Sequence, residues 1–333
     1  MIDETRHELL AQVASLYYEH EKSQNEIAKE LGLSRVKIYR ILKEARQEGV
    51  AKIIINWPIE RDYHLEENLA QIFNLKKALV FKSTQKDGTP SLQRLGQMTA
   101  RYLETILEDG MTLTVCLGRS TYEVIDAVRP TFRAHINVAQ AMGSIPFAVQ
   151  EIDSAALARQ LAQKLGGQVL YLSSPLVASS PEAAAILRSQ PLIERTLNAS
   201  RNADIALVGI GSLNPRNSRY VQADLITAQA LIELEQEGAV GDIGGQFFTQ
   251  SGGLQPCKYN ECMIGLSLEE MKKIPNTIAV AMGKDKVQAI LGGLHTGVID
   301  VLCTDYSTAR ELLQLELSAA SPDSAAISSS YSS

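Results

Sequence analysis

Seven apolar runs rich in β-branched residues recur along the chain, at Ala78 to Phe81, Leu113 to Leu117, Ile136 to Ala141, Gln168 to Leu172, Ile205 to Ile210, Thr277 to Met282 and Val298 to Cys303. Between them, apolar residues fall at helical spacing in Leu92 to Leu107, Thr121 to Val128, Ala155 to Leu165, Ala183 to Ser189, Ala223 to Gln236 and Lys286 to Leu294. Strands that alternate with helices are joined by crossovers, and crossovers build a largely parallel sheet with both faces covered. The pattern therefore predicts an α/β, Rossmann-like body. An open parallel sheet binds ligands beyond the carboxyl ends of its strands, where loops enter helices.

Polar, glycine-bearing segments stand at those points. Leu113 to Leu117 runs into Gly118, Arg119, Ser120 and Thr121, which bring backbone N–H groups, two hydroxyls and a guanidinium to a helix N-terminus, an arrangement suited to a phosphate or a polyol. Met142, Gly143 and Ser144 follow the next run, Gly211 to Leu213 follow another, and Gly283 to Lys286 offers a second cationic anion site. The stretch Gly241 to Phe248 holds Asp242, Gln246 and Phe247; its acid and amide suit sugar hydroxyls, or Asp242 caps neighbouring backbone. Asp305 stands where it can cap the following helix. Gly209-Ile210-Gly211 lacks the third glycine and the acidic partner of a dinucleotide fingerprint.

The N-terminal part reads differently. Ser23 and Glu26 form a capping box, Ile27, Ala28 and Leu31 an apolar stripe, and Gly32 a helix end. Ser34 then caps a second helix, with Ile38, Ile41, Leu42 and Ala45 inward and Arg35, Lys37, Tyr39, Arg40, Lys43 and Arg46 on the other side. Two capped helices, a glycine turn and a basic face in one register make a helix-turn-helix. Arg35, Val36, Lys37, Tyr39 and Arg40 are placed to reach base edges, and Lys43 and Arg46 to reach phosphates. Leu9, Leu10, Val13, Leu16 and Tyr17 form a supporting helix, Gly49 ends the second helix, Val50 to Asn56 is extended, and Trp57-Pro58 marks the exit.

The organisation expected is a DNA-binding head over 1–56, a linker helix within 57–76, an effector domain over 77–317, and a serine- and alanine-rich disordered tail over 318–333. The linker helix also has an apolar side that could meet a partner chain. A net charge of −6 over 333 residues excludes nucleic-acid binding by the whole surface, so contact with double-stranded DNA must be local. No apolar run approaches the roughly 20 residues that span a bilayer, which with the lack of a signal-like segment predicts a cytoplasmic protein with no membrane partner. The four cysteines carry no CxxC pair and are expected as buried thiols; nothing calls for a metal or a cofactor.

The segments LSRVKIYRILKEARQEG, LTVCLGRSTYEVIDAV, GDIGGQFFTQSGG and AVAMGKDKVQAILGGLHTGVIDVLCTDYSTARELL, in that order, resemble the SorC/DeoR family of sugar-responsive bacterial transcriptional regulators, from about Leu9 to Leu315. The resemblance implies an effector domain similar to sugar-phosphate isomerases and acyl-CoA transferases, a homodimer or homotetramer, and operator binding controlled by a sugar or sugar phosphate. It also implies effector contacts from Gly118, Arg119, Ser120, Thr121, Gly143, the Gly241 to Phe248 stretch and Lys286. Leu117 replaces a common tryptophan, Ser144 a glycine, and Thr249-Gln250 stands where an aspartate is expected, so the differences fall on the loops that select the sugar. Arg119 favours a charged effector, such as a phosphorylated sugar or sugar alcohol. The alternative is an isomerase or CoA-transferase-like enzyme with an accessory DNA-binding head, for which Asp242 and Asp305 are the available carboxylates.

Overall fold

The computed structural model describes residues 4–51, 58–82, 91–145 and 153–320. The chain divides into two compact units, Met1–Pro58 and Ile59–Ser333. Of the extended segment expected over Val50 to Asn56, only Val50 and Ala51 are described; residues 52–56, Trp57 and the tail beyond 320 lie outside the described residues, and 318–320 end the last helix.

The first unit holds α1 (Glu4–Tyr18), α2 (Gln24–Leu31) and α3 (Arg35–Gln47). The Ser23 N–H donates to the Glu26 carboxylate at 2.8 Å and the Glu26 N–H to Ser23 Oγ at 3.4 Å, which completes the capping box. Gly32 turns the chain at φ 64°, and Ser34 Oγ accepts from the Lys37 N–H. Leu10, Val13, Ile27, Ile38, Ile41, Leu42 and Ala45 close a small core of their own.

The second unit runs α4 (Tyr63–Ile72), β1 (Lys77–Phe81), α5 (Ser91–Ile106), β2 (Thr112–Val115), α6 (Arg119–Ala127), β3 (Asn137–Gln140), α7 (Ser154–Leu165), β4 (Gln168–Leu170), α8 (Pro181–Arg188) and α9 (Pro191–Arg201). It continues through β5 (Ile205–Gly209), β6 (Gly211–Ser212), α10 (Arg219–Gln222), α11 (Ala228–Gln236), β7 (Ala239–Ile243), β8 (Gln246–Thr249), α12 (Lys258–Cys262) and α13 (Leu268–Met271). It ends with β9 (Asn276–Val280), a short 3-10 turn at Lys284–Lys286, α14 (Val287–His295), β10 (Val301–Asp305) and α15 (Tyr306–Ala320).

Seven strands form one sheet in the order β1-β10-β9-β5-β2-β3-β4, and every pairing in it is parallel. Successive residues feed two cores. Leu79, Phe81, Leu113, Val115, Leu207 and Val280 pack beneath α5, α6 and α7, while Ala78, Val80, Val208, Ala279 and Leu302 pack beneath α4, α13, α14 and α15. Burial on both faces is why these strands read as continuous apolar runs.

Chain order reverses between β5 and β2. From β2 the crossovers lead outward to β3 and β4, and from β5 they lead to β9 and β10. A crevice opens at such a switch point.

Three features differ from the sequence pattern. The stretch Gly241 to Phe248 is a hairpin, β7 and β8, in a separate antiparallel sheet with β6. Its two-residue turn is Gly244-Gly245, at φ 60° and 88°, a left-handed pair that glycine adopts without strain. The helix expected to link the units is α4, and its Leu69 lies in the core of the body. Glu66 of α4 is buried, accepts from the Val80 N–H at 2.8 Å and pairs with Arg61. Of the cysteines, Cys116, Cys262 and Cys303 are buried, but Cys257 is only half-buried. Among the described residues, no helix is long and apolar enough to cross a membrane.

Candidate functional site

The cleft at the switch point has a volume of about 100 Å³. Its walls are Leu117 to Ser120 after β2, Gly209 to Ser212 where β5 passes into β6, Asn217 to Tyr220 at α10, Asp242 and Gly244 of the hairpin, and Lys286. No side chain caps α6 at Gly118, so its first-turn N–H groups open on the cleft.

Asp242 sits at the base of the cleft, 7% exposed. Its Oδ2 accepts from the Tyr220 hydroxyl at 2.7 Å and from the Gly245 N–H at 3.2 Å. Burial pushes its carboxyl above the usual range, against the opposing pull of these two donors and of Lys286. Lys286 donates from Nζ to the Ile210 carbonyl at 2.8 Å. Burial lowers its ammonium pKa, Asp242 and Asp285 hold it up, and Arg119 adds repulsion. Arg219 is lowered by burial and then by the neighbouring Arg119, and its buried Nε has no hydrogen-bond partner among the described residues. Three cations thus face one carboxylate.

The upward shift of Asp242 couples its protonation to folding. The folded state holds the proton more tightly than the unfolded chain, so the stabilising contribution is complete below the ordinary pKa of 3.8 and is lost as pH rises through the folded value. Asp242→Asn keeps an acceptor for Tyr220 and Gly245 and removes the charge that burial disfavours, so it is expected to stabilise the ligand-free protein relative to wild type at pH 7. Thermal unfolding followed from pH 7 downward should show that gain shrinking toward acid pH; a loss of stability at pH 7 would refute the assignment.

Of the residues singled out from the sequence, Gly118, Arg119, Ser120, Asp242 and Lys286 line this cleft. Thr121 faces away from it: its Oγ1 donates to the carbonyls of Cys116 and Gly118 at 3.0 and 2.9 Å, which closes the first turn of α6. Gly143 and Ser144 lie elsewhere, in a turn held by Gln140, whose Nε2 donates to the Met142 carbonyl at 2.9 Å and to Ser144 Oγ at 3.2 Å. A Cβ on Gly143 would stand 2.3 Å from the Pro175 carbonyl oxygen, so close packing is the demand on that glycine. Gln246 is turned to α13, where its Oε1 accepts from the Leu268 N–H at 2.7 Å. Phe247 stacks edge-on to Tyr220 at 6.2 Å and lines a small apolar recess behind it. Asp305 caps α15 by accepting from the Thr308 N–H at 3.2 Å.

Asn217, Ser218, Arg219 and Tyr220 were not apparent from the sequence as site residues. They lie in a turn-rich stretch without periodicity, and the one available signal was an Arg-Tyr pair following Asn-Pro-Arg-Asn-Ser.

In the first unit, Ser34, Arg35, Val36, Lys37, Tyr39, Arg40, Lys43 and Arg46 are all exposed. Among the described residues, none of the five cations in that set is paired with a carboxylate. Glu44 is drawn off this face by Arg6 of α1.

Residues 57–314 match the family described as "Putative sugar-binding domain". The chain is 32% identical over 317 residues to the transcriptional regulator LsrR of Enterobacter sp. (strain 638), covering 93% of this chain and 94% of that protein. Among solved structures, the full-length sorbitol operon regulator SorC from Klebsiella pneumoniae is 26% identical with a TM-score of 0.69, covering 93% of this chain and all 100% of that one. A sugar-binding domain of a transcriptional repressor from Vibrio fischeri is 32% identical with a TM-score of 0.70, covering 77% of this chain and 100% of that one.

Proposed function

The chain belongs to the SorC/DeoR family of sugar-binding transcriptional regulators, and from that premise we propose that the cleft binds a phosphorylated sugar or sugar alcohol that sets the affinity of the N-terminal unit for operator DNA. The observation that carries this reading is the cleft's charge: Arg119, Arg219 and Lys286 converge beside the uncapped start of α6, and the buried Arg219 Nε has no hydrogen-bond partner among the described residues. Guanidinium and helix N–H groups together recognise phosphate oxygens. Asp242 offers the complementary chemistry, an acceptor for sugar hydroxyls, and in this reading it binds and does not catalyse. Gly118 and Ser120 supply backbone and hydroxyl contacts.

The ligand changes operator affinity only through its different affinities for the DNA-competent and incompetent states. Two copies of the chain present two α3 helices to a pseudo-palindromic site whose half-sites lie about one helical turn, roughly 34 Å, or a multiple of it apart. A thermal-shift panel of phosphorylated sugars and their unphosphorylated counterparts tests the pocket. Stabilisation confined to the phosphorylated members supports the reading, and equal stabilisation by both refutes it.

The basic face of α3 divides by role. Arg40→Ala is expected to cost about 1–3 kcal/mol and to relax base preference, whereas Lys43→Ala should weaken all duplexes alike and reduce the salt slope by about 1. Salt-dependent titration of operator and random DNA separates the two, and equal losses on both duplexes for Arg40→Ala would contradict its role.

A further inference from the structure

Val36 is 60% exposed at the second position of α3, and Tyr39 beside it is 54% exposed. Local folding does not account for a valine here. A β-branched residue is a weaker helix former than alanine, and in water it buries nothing. The helical repeat places Val36 on one stripe with Arg40, Lys43 and Gln47, at i, i+4, i+7 and i+11, opposite the buried Ile38, Ile41, Leu42 and Ala45. Arg35 and Lys37 flank it, and the one carboxylate within the helix, Glu44, is engaged by Arg6. An apolar knob among unpaired cations fits a polyanion with an apolar feature at the floor of a groove. The major groove of DNA displays one such group, the 5-methyl of thymine.

We propose that Val36 is a specificity-determining residue that packs on a thymine methyl group in each operator half-site, with Arg40 one turn further along the same groove. The inference rests on the reading that α3 enters DNA, and it adds the base chemistry that α3 selects.

The test uses the full chain. A duplex is selected from random sequence by the wild-type protein, and each thymine of the half-site is then replaced by deoxyuridine, which removes only the methyl group. One position per half-site should weaken wild-type binding about fourfold, the value of one buried methyl, and substitution in both half-sites about 15-fold. Val36→Ala, an exposed change to a better helix former, should bind the thymine and uracil duplexes equally, with the affinity the wild type has for the uracil duplex. Val36→Thr, which keeps a branch methyl, should retain most of the discrimination. Wild-type indifference at every thymine, or discrimination surviving in Val36→Ala, would overturn the contact while leaving DNA recognition in place. Failure to enrich any sequence would overturn both.

Discussion

Arg119→Ala and Lys286→Ala are each expected to weaken binding of a phosphorylated sugar by roughly tenfold to a hundredfold, while operator affinity without ligand stays within about twofold of the wild type. The size follows from the interactions lost, since a hydrogen bond to a charged group contributes about 1.5–3 kcal/mol. Arg119 stands at the uncapped N-terminus of α6 and lines the cleft with Lys286. Removing either cation leaves Asp242 with less positive potential around it and the ligand's anion with fewer donors. The effects should not add, because Arg119 already bears on the protonation of both Lys286 and Arg219. Isothermal titration with hexose 6-phosphates reads the binding, and operator titration reads its consequence. Helix α3, proposed to read DNA, belongs to the other compact unit, so neither substitution alters its basic face. A variant with unchanged ligand affinity would remove its residue from the site.

Glu66→Ala is expected to cost about 3 kcal/mol of folding stability, among the largest effects of any polar substitution in the body. Glu66 is 6% exposed, takes both arms of the Arg61 fork and accepts the Val80 N–H at 2.8 Å. The substitution strands a guanidinium and a strand N–H together. Breaking a buried pair from one side costs about 3–5 kcal/mol. The lower figure applies because the Arg61 side chain, 26% exposed, can reach water. Glu66→Gln keeps an acceptor for Val80 and should recover part of the loss. By contrast, disrupting the exposed Lys82–Glu60 pair nearby should leave stability nearly unchanged, because solvent screens it. Urea unfolding of the three variants ranks these effects, and a Glu66→Ala loss below that of the exposed pair would contradict the role given to α4 as part of the core.

The parallel sheet was legible because its strands are buried on both faces and therefore carry unbroken apolar runs, and the capped helix pair α2 and α3 because its caps, turn and apolar stripe share one register. The small sheet was hidden. Its β7–β8 hairpin is interrupted by glycine, since close packing around Gly241 and the left-handed turn at Gly244-Gly245 break up the run of branched and aromatic residues that would announce a strand. Helix α9 was obscure for a related reason: its buried face includes Thr196 and Ser200, whose hydroxyls bond to backbone carbonyls. At the cleft, the loops after β2 and β5 were found from topology alone, because strand-end position predicts them. The turn at Gly143 obeys the same rule in sequence but is closed by Gln140 and by close packing on Pro175, and no periodicity distinguishes that outcome. Arg219 and Tyr220 lie ten and eleven residues past the end of β5 at Gly209, so only the folded arrangement brings them to the cleft and Tyr220 to Asp242.

Whether an anion in this cleft sets the grip of the head on DNA is read from operator affinity measured with and without a phosphorylated sugar that binds the protein. Wild type should shift about fivefold to 150-fold, the usual range of coupling between sites, and Arg119→Ala should shift only at roughly tenfold to hundredfold higher ligand. A ligand that saturates the cleft and leaves operator affinity unchanged, or an equal shift with the unphosphorylated sugar, would contradict that coupling.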